Sequence, residues 1–135
     1  MSNKKKVIFI DSENQKVSEV FIDKNDCLKK TYAMIGNGCH TVAIAIYLQD
    51  HDCSDTIMGD DEAYFNSDLK GFMYERMFVY GNAVIWGSDV EGDLDDVKIK
   101  VDEISSKINW VDKNDAAIIR ERVMNTPPII SFWDV

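Results

Sequence analysis

The chain has few of the residues that staple or punctuate a fold. Its 135 residues hold 3 cysteines, 2 histidines, 7 glycines and 2 prolines, the prolines adjacent at Pro127 and Pro128. Three cysteines cannot all pair within one chain, and nothing in their spacing resembles a secreted disulfide framework. Long apolar runs are missing too. After the basic start Met1 to Lys6, only Val7 to Ile10 precedes Asp11, too short for a signal peptide or a membrane span. No repeat, low-complexity block or long linker interrupts the sequence. The expectation is a soluble protein of a reducing cytoplasm. A hydrophobic content of 45% supplies one core, and a domain of this length buries roughly two-thirds of its unfolded surface.

Positive charge is scarce. Lys and Arg total 15 against 24 Asp and Glu, a formal net charge of −9. Nucleic acid and anionic membrane would both repel such a chain. Between Lys30 and Lys70 there is no lysine or arginine, while Asp50, Asp52, Asp55, Asp60, Asp61, Glu62 and Asp68 fall in that interval. A second cluster, Asp89, Glu91, Asp93, Asp95 and Asp96, precedes Lys98. One reading is solubility, since acidic surfaces resist aggregation. The sharper reading is a negative patch that attracts a basic partner.

Hydrophobic periodicity organises the rest. Val7 to Ile10 and Val17 to Ile22 flank the hydrophilic turn Asp11 to Lys16 and predict an opening β-hairpin, its second strand nearer an edge. Asn25 or Asp26 caps a helix in which Leu28, Tyr32 and Ile35 recur, and Gly36 stands just past its end. Thr41 to Leu48 alternates the large aliphatics Val42, Ile44, Ile46 and Leu48 with Thr41, Ala43, Ala45 and Tyr47, which predicts a central strand covered on both faces. Asp50 to Asp55 reads as a polar loop. Phe78 to Tyr80 and Ala83 to Trp86 flank Gly81-Asn82 as a tight hairpin or as one strand with a glycine bulge. A helix is expected from near Asp102 to Asn109, then an extended Trp110-Val111, then a helix from Asn114 or Asp115 to Met124. The order predicts a single compact α+β domain over residues 1–126. Its sheet is mixed and mainly antiparallel, with an opening hairpin, one helix after it and one or two C-terminal helices. Residues 127–135 form an apolar tail.

Chemistry-bearing patterns are weak. Cys39-His40 and His51-Asp-Cys53 would stand at opposite ends of the 41–48 strand, roughly 26 Å apart, too far to share a zinc ion within one chain. Cys39 lacks a base in reach, and no Gly-x-Ser-x-Gly elbow is present. Asp89 to Asp96 fails as a calcium loop, because Leu94 and Lys100 stand where glycine and glutamate are required. No metal ligand set, cofactor or catalytic residue is therefore assigned.

Several pieces together resemble one family. They are Ile10-Asp11 with Asn14, then Val17-x-Glu19-Val20, Ile35-Gly36 before Cys39, Asp60-Asp61-Glu62, and Gly81-Asn-Ala-Val-Ile-Trp-Gly-Ser-Asp-Val-Glu-Gly92. They are similar to a family of small proteins of unknown function carried by bacteriophages and other mobile elements. The resemblance spans about residues 7–111, and it implies an accessory protein of compact α+β fold acting in a bacterial host cell. The Ile-Gly-Cys step is stretched here by Asn37-Gly38, and residues 112–135 have no counterpart.

The expected function is a non-catalytic inhibitor of a basic, nucleic-acid-handling host protein, such as a CRISPR or restriction component. Asp50, Asp52, Asp55, Asp60, Asp61 and Glu62 are the expected contact residues, their carboxylates standing in for phosphates. One alternative is a sponge for a nucleotide defence signal, although Arg76, Arg120 and Arg122 are the only arginines. Another is a small enzyme with its acid or base among the carboxylates. The tail residues Ile129, Ile130, Phe132 and Trp133 suggest a homodimer interface, since a free apolar end is an aggregation hazard.

Overall fold

The computed structural model describes residues 3–39, 41–50, 53–66 and 68–125. Alternating apolar residues on each side of the Asp11–Lys16 turn fold back as β1 (Lys4–Asp11) and β2 (Lys16–Asp23), paired from Lys4↔Asp23 to Asp11↔Lys16. The expected hairpin is present, and β2 lies at one edge of its sheet. Asp23 caps a short 3₁₀ turn by accepting the Asn25 N–H, and α1 (Cys27–Ile35) follows. Gly36 ends the helix at φ 70°, where its N–H reaches the Tyr32 carbonyl, a conformation that glycine adopts without strain. The buried face of α1 is rotated from the expected one. Thr31 and Ile35 are buried, while Leu28 is exposed.

The large sheet continues with β3 (Val42–Asp50), β4 (Cys53–Asp60), β7 (Ala83–Ser88) and the short β8 (Leu94–Asp95). Its order is β2-β1-β7-β4-β3, with β8 paired to the end of β7. A small sheet of order β6-β5-β9 is built from β5 (Gly71–Tyr74), β6 (Met77–Tyr80) and β9 (Ile108–Val111). Two further helices, α2 (Val101–Lys107) and α3 (Lys113–Asn125), flank β9. Every strand pairing among the described residues is antiparallel.

The two sheets pack face to face. Ile8, Ile10, Ile57 and Ile85 of the large sheet meet Phe72, Tyr74 and Val79 of the small one, and Ile104 of α2 closes this layer. Each such side chain contributes about 1.5–3 kcal/mol when fully buried. On the other face of the large sheet, Val7, Ile22 and Val84 pack against Ile35 of α1, and the Trp86 indole N–H donates to Thr31 Oγ1 at 3.0 Å. On the outer face of the small sheet, Ala116 of α3 packs with Tyr80, Val111 and Leu69. The α+β domain is thus two sheets back to back with a helix on each outer surface.

Three expectations are corrected by the topology. β3 is an edge strand, paired only with β4, and is not central. Its alternation is broken by a bulge between Ile44 and Ile46, so Ile46 and Leu48 face the core while Ile44 faces outward. The polar 50–55 stretch is not a loop throughout, because β4 starts at Cys53. Gly81-Asn82 is neither hairpin nor bulge. It carries the chain from β6 in one sheet to β7 in the other, with Gly81 at φ 90°. Asn82 is buried at this crossing; its Oδ1 accepts the Ser12 N–H at 2.8 Å and its Nδ2 donates to the Ile35 carbonyl at 3.2 Å. Smaller shifts occur elsewhere. α2 starts one residue earlier than expected and yields to β9 at Ile108, and α3 starts at Lys113 with the Asp112 carboxylate accepting the Asp115 N–H.

Candidate functional site

The β3–β4 hairpin carries the acids singled out in the sequence, and the structure separates them. β3 and β4 pair from Val42↔Asp60 at one end to Asp50↔Cys53 at the other. An eight-residue strand spans roughly 26 Å, so Asp60, Asp61 and Glu62 stand far from Asp50. Asp60 Oδ1 accepts the Glu62 N–H at 2.9 Å, the Asp61 N–H reaches the Thr41 carbonyl, and Glu62 Oε1 accepts the Thr41 hydroxyl. Asp61 is the exposed member of this group. Asp52 lies outside the described residues.

Asp55 is the clear correction. It is 1% exposed and cannot meet a partner. Its carboxylate instead accepts the backbone N–H groups of Lys98 and Ile99 at 2.7–3.2 Å, holding the segment that leads from β8 to α2. An aspartate between two strand residues on the inner face reads as surface charge in a sequence. The missed signal is that Asp55 falls on the same side of β4 as buried Ile57.

A second acidic group joins the Asp50 end. Thr56 lies opposite Trp86, so the start of β4 and the end of β7 share one end of the sheet. The turn after β7 carries Asp89, Glu91 and Asp93. Asp89 Oδ1 closes that turn by accepting the Glu91 and Asp93 N–H groups at 2.9 and 3.0 Å, leaving Glu91 and Asp93 exposed. Acidic residues therefore stand toward both ends of the large sheet, with β3 as its edge strand. Between them the strand is uncharged from Val42 to Gln49, with Ile44 45% and Tyr47 62% exposed.

Beside β3 lies a groove of about 830 Å³, bounded by that strand, the turn between β5 and β6, and α2 with the segment before it. Ile46, Leu48 and Ile99 give it apolar walls, and Tyr47 and Tyr74 add rings. Arg76, Lys98 and Lys107 bring positive charge into it. Lys107 is paired with Glu75 at 3.6 Å and lies 6.0 Å from the Tyr74 ring centre. Burial raises the Tyr74 phenol above its ordinary value, so it stays neutral. Of the arginines weighed in the sequence, only Arg76 lines the groove. Arg120 donates to the Tyr64 carbonyl at 2.7 Å. Lys98 and Lys107 had no signal in the sequence, because α2 and the segment before it come to β3 only through tertiary packing.

Cys39 Sγ lies 3.5 Å from the Thr41 carbonyl, and burial followed by the nearby Asp60 charge raises its pKa. A raised thiol is a poor nucleophile. His40 and His51 lie outside the described residues, as do Ile129, Ile130, Phe132 and Trp133 of the dimer expectation. Among the described residues no group of three or more His, Cys, Asp and Glu side chains is gathered as a metal site, and no helix is long and apolar enough to cross a membrane.

Set against known proteins, the chain matches no family model, no curated protein and no solved structure.

Proposed function

We propose that the chain is a non-catalytic accessory protein of the phage type its motifs resemble, which binds and inhibits a basic, nucleic-acid-handling protein of the bacterial host. The observation that carries this reading is the placement of acids at both ends of the large sheet, of which uncharged β3 is one edge: Asp60 to Glu62 at one end, Glu91 and Asp93 in the turn after β7 at the other. Carboxylates so spaced offer two points of contact to a groove lined by lysine or arginine, and they speed encounter with it. The acidic surface proposed here excludes Asp55 and adds Glu91 and Asp93.

The test is capture from bacterial lysate on the full chain, washed in rising salt, beside a variant carrying Asp61→Asn, Glu91→Gln and Asp93→Asn. Basic nucleic-acid-binding proteins should be retained by the native chain and released as salt rises. The triple variant should hold them at least about tenfold more weakly. Equal retention by both proteins would remove the reading.

A second reading is favoured by the groove: sequestration of a nucleotide signal. Its volume suits a small ligand, its rings can stack on a base, and Arg76 and Lys98 can meet phosphate. Thermal shift with cyclic dinucleotides and with adenosine monophosphate tests it. Stabilisation that vanishes in Arg76→Ala/Lys98→Ala would support the sponge, and no shift with any nucleotide would remove it.

A further inference from the structure

We propose that the chain forms a two-fold homodimer through the free edge of β3, with Ile44 of each copy seated opposite Tyr47 of the other. The inference goes beyond the partner reading above and does not rest on it.

β3 has nine residues and ends the large sheet, so among the described residues no strand lies along its outer side. Long free edges are usually blunted by charge or proline, because they template pairing with other chains. The opposite edge is blunted: β2 carries Lys16, Glu19 and Asp23. β3 is uncharged from Val42 to Gln49, and its one irregularity is the bulge at Ala45.

The register follows from the face that each residue occupies. Ile44 lies opposite Met58 and, through it, Val84; Tyr47 lies opposite Thr56 and, through it, Trp86. Val84 and Trp86 pack on the α1 side, so Ile44 and Tyr47 share that face of the sheet. Ala43 aligns through Gly59 with Ala83, and Leu48 lies opposite buried Asp55, so these two share the core face. Antiparallel pairing about a two-fold axis normal to the sheet preserves its faces, so only residues of like face can stand opposite each other. Ile44 opposite Tyr47 meets that condition, and it sets Ala43 opposite Leu48. The axis then passes between Ala45 and Ile46, where the two bulges meet and the arms on either side pair in register. The pairing covers Ile44 and Tyr47, which are 45% and 62% exposed in the single chain, and β-branched residues opposite aromatic ones favour pairing.

Charge agrees with this register. At one end of the edge Asp61, whose N–H reaches the Thr41 carbonyl, is exposed beside Asp60. The other end adjoins the groove. There Lys107 is paired with Glu75, which leaves exposed Arg76 and Lys98 against Glu103. An edge with opposite charge at its two ends complements its own antiparallel copy, since each acidic end meets the other's basic end. A parallel copy would set acid beside acid, and a segment basic at both ends would be repelled by Arg76 and Lys98. The paired stretch from Ala43 to Leu48 stops short of Asp50. Glu91 and Asp93 follow β7, two strands in from this edge, and stay open in the pair. The partner proposed above then meets them on the dimer and reaches Asp61 only by displacing a copy.

The experiment measures self-association of the full chain by sedimentation equilibrium and follows amide hydrogen exchange by NMR, with no host protein present. The native chain should dimerise at tens of micromolar, and exchange at Ala43–Leu48 should slow as concentration rises. Ile44→Lys/Tyr47→Lys, whose changed side chains are exposed, should associate at least about tenfold more weakly. Asp61→Lys and Arg76→Glu/Lys98→Glu should each lose at least about tenfold alone. An equimolar mixture of those two variants should dimerise again, because every contact between them joins opposite charges. In mixed labelled and unlabelled native chain, an intermolecular NOE should join the Ile44 methyls to the Tyr47 ring. A monomer at tens of micromolar, a dimer with β3 exchange unchanged, or a mixture that does not recover would each overturn the inference. A dimer that survives Ile44→Lys/Tyr47→Lys would place the contact elsewhere and overturn it as well. Each of these failures leaves the acid-dependent capture of a host protein standing, and failure of that capture leaves the dimer standing.

Discussion

The Asp55 carboxylate accepts the Ile99 N–H at 2.7 Å, and the same oxygen accepts the Lys98 N–H at 3.0 Å. This pairing ties β4 to a strap that crosses the inner face of the large sheet. At the other side of the crossing the Val97 N–H reaches the Lys6 carbonyl, and the Lys6 N–H reaches the Asp96 carboxylate at 2.8 Å. Backbone that leaves a ladder inside a sandwich must find new partners for its N–H groups, and a buried carboxylate can take several of them.

Asp55→Ala should therefore cost about 2–4 kcal/mol, since it leaves buried backbone donors unsatisfied. Asp55→Asn keeps one acceptor oxygen and should cost less than the alanine. Urea denaturation of the two variants checks the order. Equal and negligible losses would show that the strap is held by something other than this carboxylate.

Gly87 lies directly beneath the same strap. A Cβ built there would stand 2.5 Å from the Asp96 carbonyl oxygen and 2.8 Å from that of Asp95. Backbone cannot yield as a side chain does, so Gly87→Ala should cost about 1–3 kcal/mol. Gly92 is a control with nothing within 4 Å, where alanine meets only the penalty of φ 87°, about 1–2 kcal/mol. Because Asp55 and Gly87 hold one strap, the double variant should lose less than the sum of the single losses. Additive losses would mean the strap does not act as a unit.

The local elements were legible in the sequence where one signal dominated. The β1–β2 hairpin followed from two apolar runs around a hydrophilic turn, and the Gly36 stop followed from glycine's access to positive φ. Sheet order was not legible. Val42 to Leu48 is as apolar as a central strand, yet it is an edge, because pairing partners are chosen by contacts distant in sequence. The bulge at Ala45 also hid which aliphatic residues face the core. For the candidate site, the acids were visible as a cluster but their separation was not. A stretch close in sequence became the two ends of a hairpin, with Asp55 buried between them. The groove cations Lys98 and Lys107 come together with Arg76 only in the folded chain.

Asn82 gives a third prediction. It joins the turn after β1 to the end of α1 by accepting from Ser12 and donating to Ile35, and the Ser12 hydroxyl donates to the Gly81 carbonyl at 2.6 Å. The Ile35-Gly36 and Gly81-Asn82 pieces of the family-like pattern meet here, beside the Asp11–Asn14 turn. Asn82→Asp keeps the acceptor, removes the donor and sets a carboxylate against the Ile35 carbonyl. It should cost about 2–3 kcal/mol, close to the loss in Asn82→Ala, because buried polar groups left unpaired carry the full desolvation penalty. Thermal unfolding of both variants checks this, and a stable Asn82→Asp protein would show that the Ile35 contact contributes little.

The last prediction follows from the Cys39 thiol. Burial is the larger cause of its raised pKa and the Asp60 charge beside it the next, so the fold favours the neutral thiol over the thiolate. Cys27 is raised by burial as well, and so is Tyr64. In each case the folded chain holds its proton more tightly than the unfolded chain does. The stabilisation is complete below the unfolded pKa, which is 9.0 for the thiols and 10.0 for the tyrosine, and it is lost as pH rises through the folded values. Stability should consequently fall on the alkaline side from about pH 9. Replacing Asp60 with asparagine removes the charge but not the burial. In that variant Cys39 should react with iodoacetamide at lower pH than in the native chain, yet still above the pH needed by a free thiol. Peptide-resolved mass spectrometry of alkylation across pH separates Cys39 from the other cysteines. A reaction profile that does not move in Asp60→Asn would show that Asp60 has no electrostatic hold on the thiol.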